Sequence, residues 1–210
     1  MSTQKLSKIP VMFIATNYQK TEPLLTKEMK TTSSPDLDKW DLDNLTDYII
    51  TTHHSYAKKN AAIIYELIQE VANRHSEKHP ELLKLTEVSF LFFHDLLNHM
   101  AKEEQILFPN INILFKKKDY KGITTYTTFG LIREAVFALQ KEHLAAEEDL
   151  KLFHKLTNDY NLPEDACNSY KYLFMKMKEF ENDLVLHINL ENNILFPKAI
   201  ALDGIIERLK

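Results

Sequence analysis

Apolar residues recur near the 3.6-residue period along four long stretches of the chain, which predicts four amphipathic helices. In the first, Asn44–His75, the stripe is Leu45, Tyr48, Ile49, Ala57, Ile64, Leu67 and Val71. Asn44 reads as its N-cap, with Asp47 three residues on. The second helix is expected to start after Pro80 and run to about Phe108, where Pro109 ends or kinks it. The third spans roughly Thr128–Leu156, after a loop at Gly122. The fourth is expected to begin at Pro163, a good first-turn residue, and to stop at about Phe196 before Pro197. Four long helices joined by short connections predict an all-α, up-down four-helix bundle.

Residues 1–40 break this pattern. They carry Pro10, Pro23 and Pro35, the cluster Thr31–Ser34, and no sustained helical period. They read as an N-terminal extension ending near Trp40, packed on the bundle or disordered. The bundle is expected over 41–200, with a C-terminal tail at 201–210.

Composition narrows the class. The chain has 210 residues, 44% of them hydrophobic, so a substantial core is available, and only three are glycine. Turn-rich β folds and phosphate-cradling loops need more glycine than this. The net charge of −4 comes with scattered lysines and arginines, which argues against nucleic acid as a partner. No apolar run reaches the roughly 18 residues of a membrane helix. The short run Pro10–Thr16 follows Lys5 and Lys8 but lacks a small-residue cleavage site, so it reads as a buried segment rather than a secretory signal. The only cysteine, Cys167, excludes an intrachain disulfide and a Cys-x-x-Cys pair. Near a predicted helix start it could be a slightly acidified thiol, but packing is the commoner role. Together these features predict a soluble cytoplasmic protein.

The chemistry lies in an internal repeat. Residues 95–109 read DLLNHMAKEEQILFP and residues 183–197 read DLVLHINLENNILFP. Asp95, His99 and Glu103 thus correspond to Asp183, His187 and Glu191. Residues four apart on an α-helix point the same way, so each His-x-x-x-Glu presents an imidazole and a carboxylate on one face. A single such pair is commonly a solvated surface pair. Two copies facing one core would bring together two glutamates whose charges need a cation between them.

A third element extends the repeat. His54 lies 45 residues before His99, and His143 lies 44 before His187. The expected site is therefore six side chains in pseudo-twofold array: His54, His99, Glu103, His143, His187 and Glu191. The simplest pairing puts one metal on His54 and His99 and the other on His143 and His187, with Glu103 and Glu191 bridging. Bundle handedness decides the pairing and is not legible in the sequence. His75 is excluded: 21 residues of unbroken helix put it roughly 31 Å from His54. His53, His79, His94 and His154 have no symmetric counterpart and read as surface or packing residues. Asp95 and Asp183, one turn before ligand histidines, read either as acceptors that orient those rings or as surface charge. The Ile-Leu-Phe runs read as core closing below the site.

Four imidazoles and two carboxylates without thiolate suit iron or manganese better than structural zinc. The spacing also differs from the Glu-x-x-His of ferritin-like sites, which leaves a hemerythrin-like centre. At these residues the chain resembles the repair of iron centres (RIC) family of hemerythrin-like di-iron proteins. The resemblance rests on RHSEKHP ending at Pro80, HMAKEEQILFP at 99–109, KEH at 141–143, PEDAC at 163–167 and HINLENNILFP at 187–197. It implies two non-haem irons, oxo- or hydroxo-bridged or not, on the six residues above. It also implies a role in restoring iron–sulfur clusters damaged by nitric oxide or oxidative stress, as an iron donor. Damaged iron–sulfur proteins or cluster-assembly proteins would be its partners. Gas binding or sensing of O2 or NO, and a di-iron NO or peroxide reductase, remain open. The family often carries an N-terminal cysteine pair, and residues 1–40 contain no cysteine.

Overall fold

The computed structural model describes residues 37–117 and 131–208. The expectations for residues 1–36, the Gly122 loop and the first residues of the third helix lie outside that span. The described residues hold α1 (Leu42–Tyr48), α2 (Ser55–His75), α3 (Glu81–Lys102), α4 (Phe108–Lys117), α5 (Leu131–Thr157), α6 (Asn168–Leu190) and α7 (Phe196–Arg208). Three wide π-turn segments join some of these end to end: π1 (Ile49–His54), π2 (Glu103–Leu107) and π3 (Glu191–Leu195). Four long helices result, α1–π1–α2, α3–π2–α4, α5 and α6–π3–α7. They form the four-helix bundle that the periodicity predicts. In it α2 packs on α3 and α6, α3 on α5, α1 on α4, and α7 on both α4 and α5.

The helix ends differ from expectation in physically specific ways. The first helix starts at Leu42, with Asp41 in extended conformation as its N-cap, and Asn44 lies inside it. Pro163 does not open the fourth helix. It starts a turn in which Ala166 N–H donates to the Pro163 carbonyl, and the helix begins at Asn168 with Cys167 as N-cap.

Pro109 and Pro197 do not stop their helices either. A proline inside an α-helix removes one hydrogen bond and its ring strikes the carbonyl four residues back. Those carbonyls belong to Gln105 and Asn193, both inside the wide turns π2 and π3. There the Phe108 N–H reaches back five residues to the Glu103 carbonyl, and Phe196 N–H does the same to Glu191. The widened turn makes room for the ring, so each helix runs on.

The α5–α6 connection turns sharply at Asn158, Asp159 and Tyr160, whose φ angles of 50°, 56° and 56° are left-handed. Tyr160 is buried, donates its hydroxyl to Glu181 at 2.8 Å, and sends its N–H to Thr157 Oγ1 at 3.0 Å. These bonds hold a turn that non-glycine residues otherwise avoid. Seven non-helical residues, 161–167, then lead into α6.

Two apolar clusters make the core. One joins α2, α3, α5 and α6 through Ile64, Ile68, Leu85, Phe92, Leu173 and Phe180, among others. The other joins α1, α4, the first half of α5 and α7 through Leu45, Ile49, Phe108, Ile111, Val136 and Phe196. Leu107, Phe108, Leu195 and Phe196, from the two ILFP runs, all lie in this second cluster. Trp40 packs on it as well, and Lys198 Nζ donates to the carbonyls of Asp38 and Trp40.

Candidate metal centre

Along each long helix the change from one apolar cluster to the other is marked by polar residues that are nevertheless buried. His54 ends π1, His99 and Glu103 straddle the end of α3, His143 lies mid-α5, and His187 and Glu191 straddle the end of α6. All six are buried, and Glu103 and Glu191 have no exposed surface at all. Six polar side chains thus form one layer between the two apolar clusters.

The structure brings all six together. The ligand atoms of His54, Glu103, His187 and Glu191 lie within 4.8 Å of one another, and so do those of His99, Glu103, His143 and Glu191. The histidine pairing differs from the simplest expectation. His54 Nε2 is 3.1 Å from His187 Nε2, and His99 Nε2 is 3.0 Å from His143 Nε2. The first long helix lies against both α3 and α6, but at the level of His54 it is α6 that π1 packs on, while α3 and π2 pack on α5. Each glutamate reaches both pairs. Glu103 places Oε2 3.4 Å from His54 and Oε1 3.3 Å from His99. Glu191 places Oε1 2.9 Å from His187 and Oε2 3.2 Å from His143.

This arrangement fits a pair of metal ions. None of the four glutamate oxygens receives a hydrogen bond, although all are buried. Leaving two carboxylates so is very costly unless a cation neutralises them. The paired Nε2 atoms stand about as far apart as two nitrogens at right angles on one first-row ion, given a metal–nitrogen bond of about 2.1 Å. The donors, two imidazoles and two carboxylate oxygens per position with no thiolate, suit iron.

The protons of the site follow the same charges. Burial disfavours the charged His99 ring, but Glu103, Glu191 and Glu142 outweigh it and push His99 up to about 9. His187 is raised against its burial by Glu191 and Glu103. Burial pushes the Glu191 carboxyl up, yet His187 and His143 hold it well below the usual carboxylate range.

Ring orientation comes from residues that lie beside the ligands or follow them in the repeat. Glu104 accepts from His54 Nδ1 at 2.7 Å and is paired with Lys58. Asn192, its counterpart in the repeat, faces His143 Nδ1 at 3.1 Å. Glu142 accepts from His99 Nδ1 at 2.9 Å and is paired with Lys102. Phe108 and Phe196 stack on His54 and His143, with ring centroids 5.8 Å apart in each case. One signal was available: Glu104 and Asn192 each follow a repeat glutamate, and Glu142 precedes His143. Asp95 does not orient His99; it is exposed and bonded to His94. Asp183 holds His53 rather than His187, and of the two roles expected for His53 the structure shows the packing one, since it is buried. His75 meets Cys167 at 3.1 Å, at the far end of α2 from His54.

A cleft of about 540 Å³ opens beside the centre between α3 and α5. His99, His143 and His187 line its floor together with Leu184 and Ile188, and Asp95, Glu142 and Asp149 also line it. Burial and the neighbouring Asp95 raise the Asp149 carboxyl.

Residues 45–199 match the family model described as the hemerythrin HHE cation binding domain. The iron–sulfur cluster repair protein YtfE of Yersinia pseudotuberculosis serotype IB (strain PB1/+) is 32% identical over 168 residues, 80% of this chain and 70% of the relative. The protein of the same name from Yersinia pestis (strain Pestoides F) matches with the same identity and coverage.

Proposed function

The chain belongs to the hemerythrin HHE cation-binding family and, within it, to the iron–sulfur cluster repair proteins; from that premise we propose that it is a di-iron protein that repairs iron–sulfur clusters damaged by nitrosative or oxidative stress, acting as an iron donor. His54 and His187 would hold one ion and His99 and His143 the other, and Glu103 and Glu191 present carboxylate oxygens to both positions. The single observation that carries this reading is the set of four buried glutamate oxygens without a hydrogen-bond donor, flanked by four imidazoles. When bound, the ions supply transferable iron and positions at which a diatomic ligand can attach.

The protein's own residues account for both holding and release. Glu104, Asn192 and Glu142 fix the rings of His54, His143 and His99. A hydrogen bond from the far ring nitrogen to a carboxylate raises the basicity of the ligating nitrogen. Only two carboxylates face the ions, so the centre is less fully neutralised than a carboxylate-rich one, which favours lability. Asp95, Asp149 and the Glu142–Lys102 pair line the cleft, so its acidic groups outnumber its one lysine and favour the passage of a cation. Partners are damaged iron–sulfur proteins or the cluster-assembly proteins that serve them. No helix among the described residues is long and apolar enough to cross a membrane. We place the protein in the cytoplasm, where a lone unpaired cysteine such as Cys167 is at home.

The test mixes the iron-loaded protein with an iron–sulfur enzyme inactivated by NO or peroxide, a reductant and a cluster-assembly system. Recovery of enzyme activity above that given by the His99→Ala variant is expected. Equal recovery with both removes the repair reading. The cleft that reaches His99, His143 and His187 also suits reversible binding of O2 or NO. Retention of both irons with a reversible spectral change on adding either gas would favour that second reading.

A further inference from the structure

The two halves of the chain agree at the six buried ligands and diverge at one position beside them. The residue before the first-helix histidine is Glu142 in the second half and His53 in the first. Glu142 accepts a hydrogen bond from the far nitrogen of His99. His53 faces the corresponding ligand, His187, in a different manner. Its ring lies parallel to that of His187, with planes 6° apart and centroids at 5.7 Å. Its Nδ1 is 3.0 Å from Asp183 Oδ1, and Tyr48 packs edge-on against it at 5.7 Å. Tyr48 is braced in turn by Trp40, edge-on at 5.5 Å. Only 6% of His53 is exposed, which leaves the ring little room to turn.

The difference continues in the hydrogen bonds. Both rings of the His99/His143 pair have an acceptor at Nδ1, Glu142 for one and Asn192 for the other. In the His54/His187 pair, Glu104 serves His54. Among the described residues no hydrogen bond meets His187 Nδ1, and the ring is held by its flat neighbour instead. Stacking fixes a ring plane but does not add electron density to the ligating nitrogen as a carboxylate at Nδ1 does.

We propose that His53, clamped by Asp183 and Tyr48, is a positioning residue that sets the ring plane of His187 and makes the two metal positions inequivalent, the ion on His54 and His187 leaving first. This rests on the di-iron reading above. The cleft touches both positions, since His99 and His143 line it as well as His187, so it offers a common route and the order of leaving is set by the residues behind the ligands.

The full chain loaded with ⁵⁷Fe is compared with His53→Ala, His53→Leu and His53→Phe by Mössbauer spectroscopy, iron content and the rate of iron loss to an excess of ferrous chelator. The wild type should hold two irons per chain, show two distinguishable quadrupole doublets and lose iron in two phases of equal amplitude. His53→Ala should speed the fast phase about tenfold or more, the usual effect of losing a partner behind a ligand. It should alter one doublet and leave the slow phase unchanged. His53→Leu has similar bulk but no flat ring and should behave like alanine, which keeps the test valid if the alanine variant folds poorly. His53→Phe keeps the flat ring without the Asp183 bond and should stay within about threefold of wild type. Two irons in the wild type with both doublets and both phases unmoved in His53→Leu would overturn the positioning role alone. A phenylalanine variant as fast as the alanine one would also overturn it. Fewer than two irons in the wild type would overturn this inference and the di-iron reading together.

Discussion

Removing the metal should make the stability of this protein depend on pH, and replacing the two buried glutamates should abolish that dependence. In the stripped protein the positive charges nearest Glu103 and Glu191 among the described residues are the protonated neighbouring histidines. His99, ordinarily 6.5, is pushed up to about 9 for this reason. A raised histidine contributes stability that is fully present below its unfolded value and is lost as pH rises through the folded one. The window is therefore about pH 6.5 to 9, and His187, also raised, acts with the same sign. At 1.36 kcal/mol per pH unit, His99 alone accounts for about 3 kcal/mol. For a chain of this size that corresponds to a fall in Tm of about 6–12 °C. Bound iron replaces the protons, so the loaded protein should change little across the same window. The assay is thermal unfolding at pH 6.5, 7.5, 8.5 and 9.0 of loaded wild type, chelator-stripped wild type, and stripped Glu103→Gln/Glu191→Gln. The stripped double variant should have a nearly flat profile, because neutral amides need no imidazolium beside them. A stripped wild type as flat as the loaded protein would refute the reasoning. So would a double variant that falls as steeply as the wild type.

Other outcomes follow from the same geometry. Glu103→Ala and Glu191→Ala should each disturb both irons, since each glutamate presents an oxygen to both histidine pairs; loss of one iron with the other unperturbed in the Mössbauer spectrum would make the carboxylates terminal ligands. His54→Ala should lose iron, whereas His75→Ala, at the far end of α2, should keep content and spectrum unchanged, as read by metal analysis. Phe108→Ala should cost about 3–5 kcal/mol in denaturant unfolding, because Phe108 is fully buried and also leaves His54 without its stacking partner. A loss under about 1 kcal/mol would mean that the second apolar cluster closes around the gap.

The bundle and the six converging residues were legible because the sequence repeats itself. A duplicated His-x-x-x-Glu fixes direction by helical spacing alone, and matched upstream histidines extend the set without knowledge of the packing. The pairing was not legible, since His54 could face His99 or His187 until the order of helices around the bundle is known. The supporting shell was hidden for a related reason. Glu104, Glu142 and His53 are each adjacent to a ligand in sequence, and helical periodicity alone assigns neighbours of buried residues to other faces. His54 and His53 are nevertheless both buried, within the wide turn π1. Asp95 and Asp183 are equivalent in the repeat, yet only Asp183 has a buried partner, because only the first half offers a histidine at the position Glu142 fills in the second.

The prolines show why a rule that holds for helices in general fails at these two places. Pro109 and Pro197 each stand six residues after a repeat glutamate, and the wide turn that admits the ring starts at that glutamate. Read together, Glu-x-x-Ile-Leu-Phe-Pro encodes a buried carboxylate, a π-turn opened at its own carbonyl, two core side chains and a proline that removes one competing α-helical bond. Wide turns of this kind are uncommon and gather at functional sites. Here three of the four long helices carry one, each beginning or ending on a residue of the centre: His54, Glu103 and Glu191. The remaining long helix, α5, supplies His143 from an unbroken run and no glutamate to the six-residue centre. The π-turns thus accompany both glutamates and only one of the histidines, so the two halves of the centre differ in backbone as well as in the residues behind the ligands. That asymmetry gives two pseudo-equivalent ions a structural basis for leaving in order rather than together.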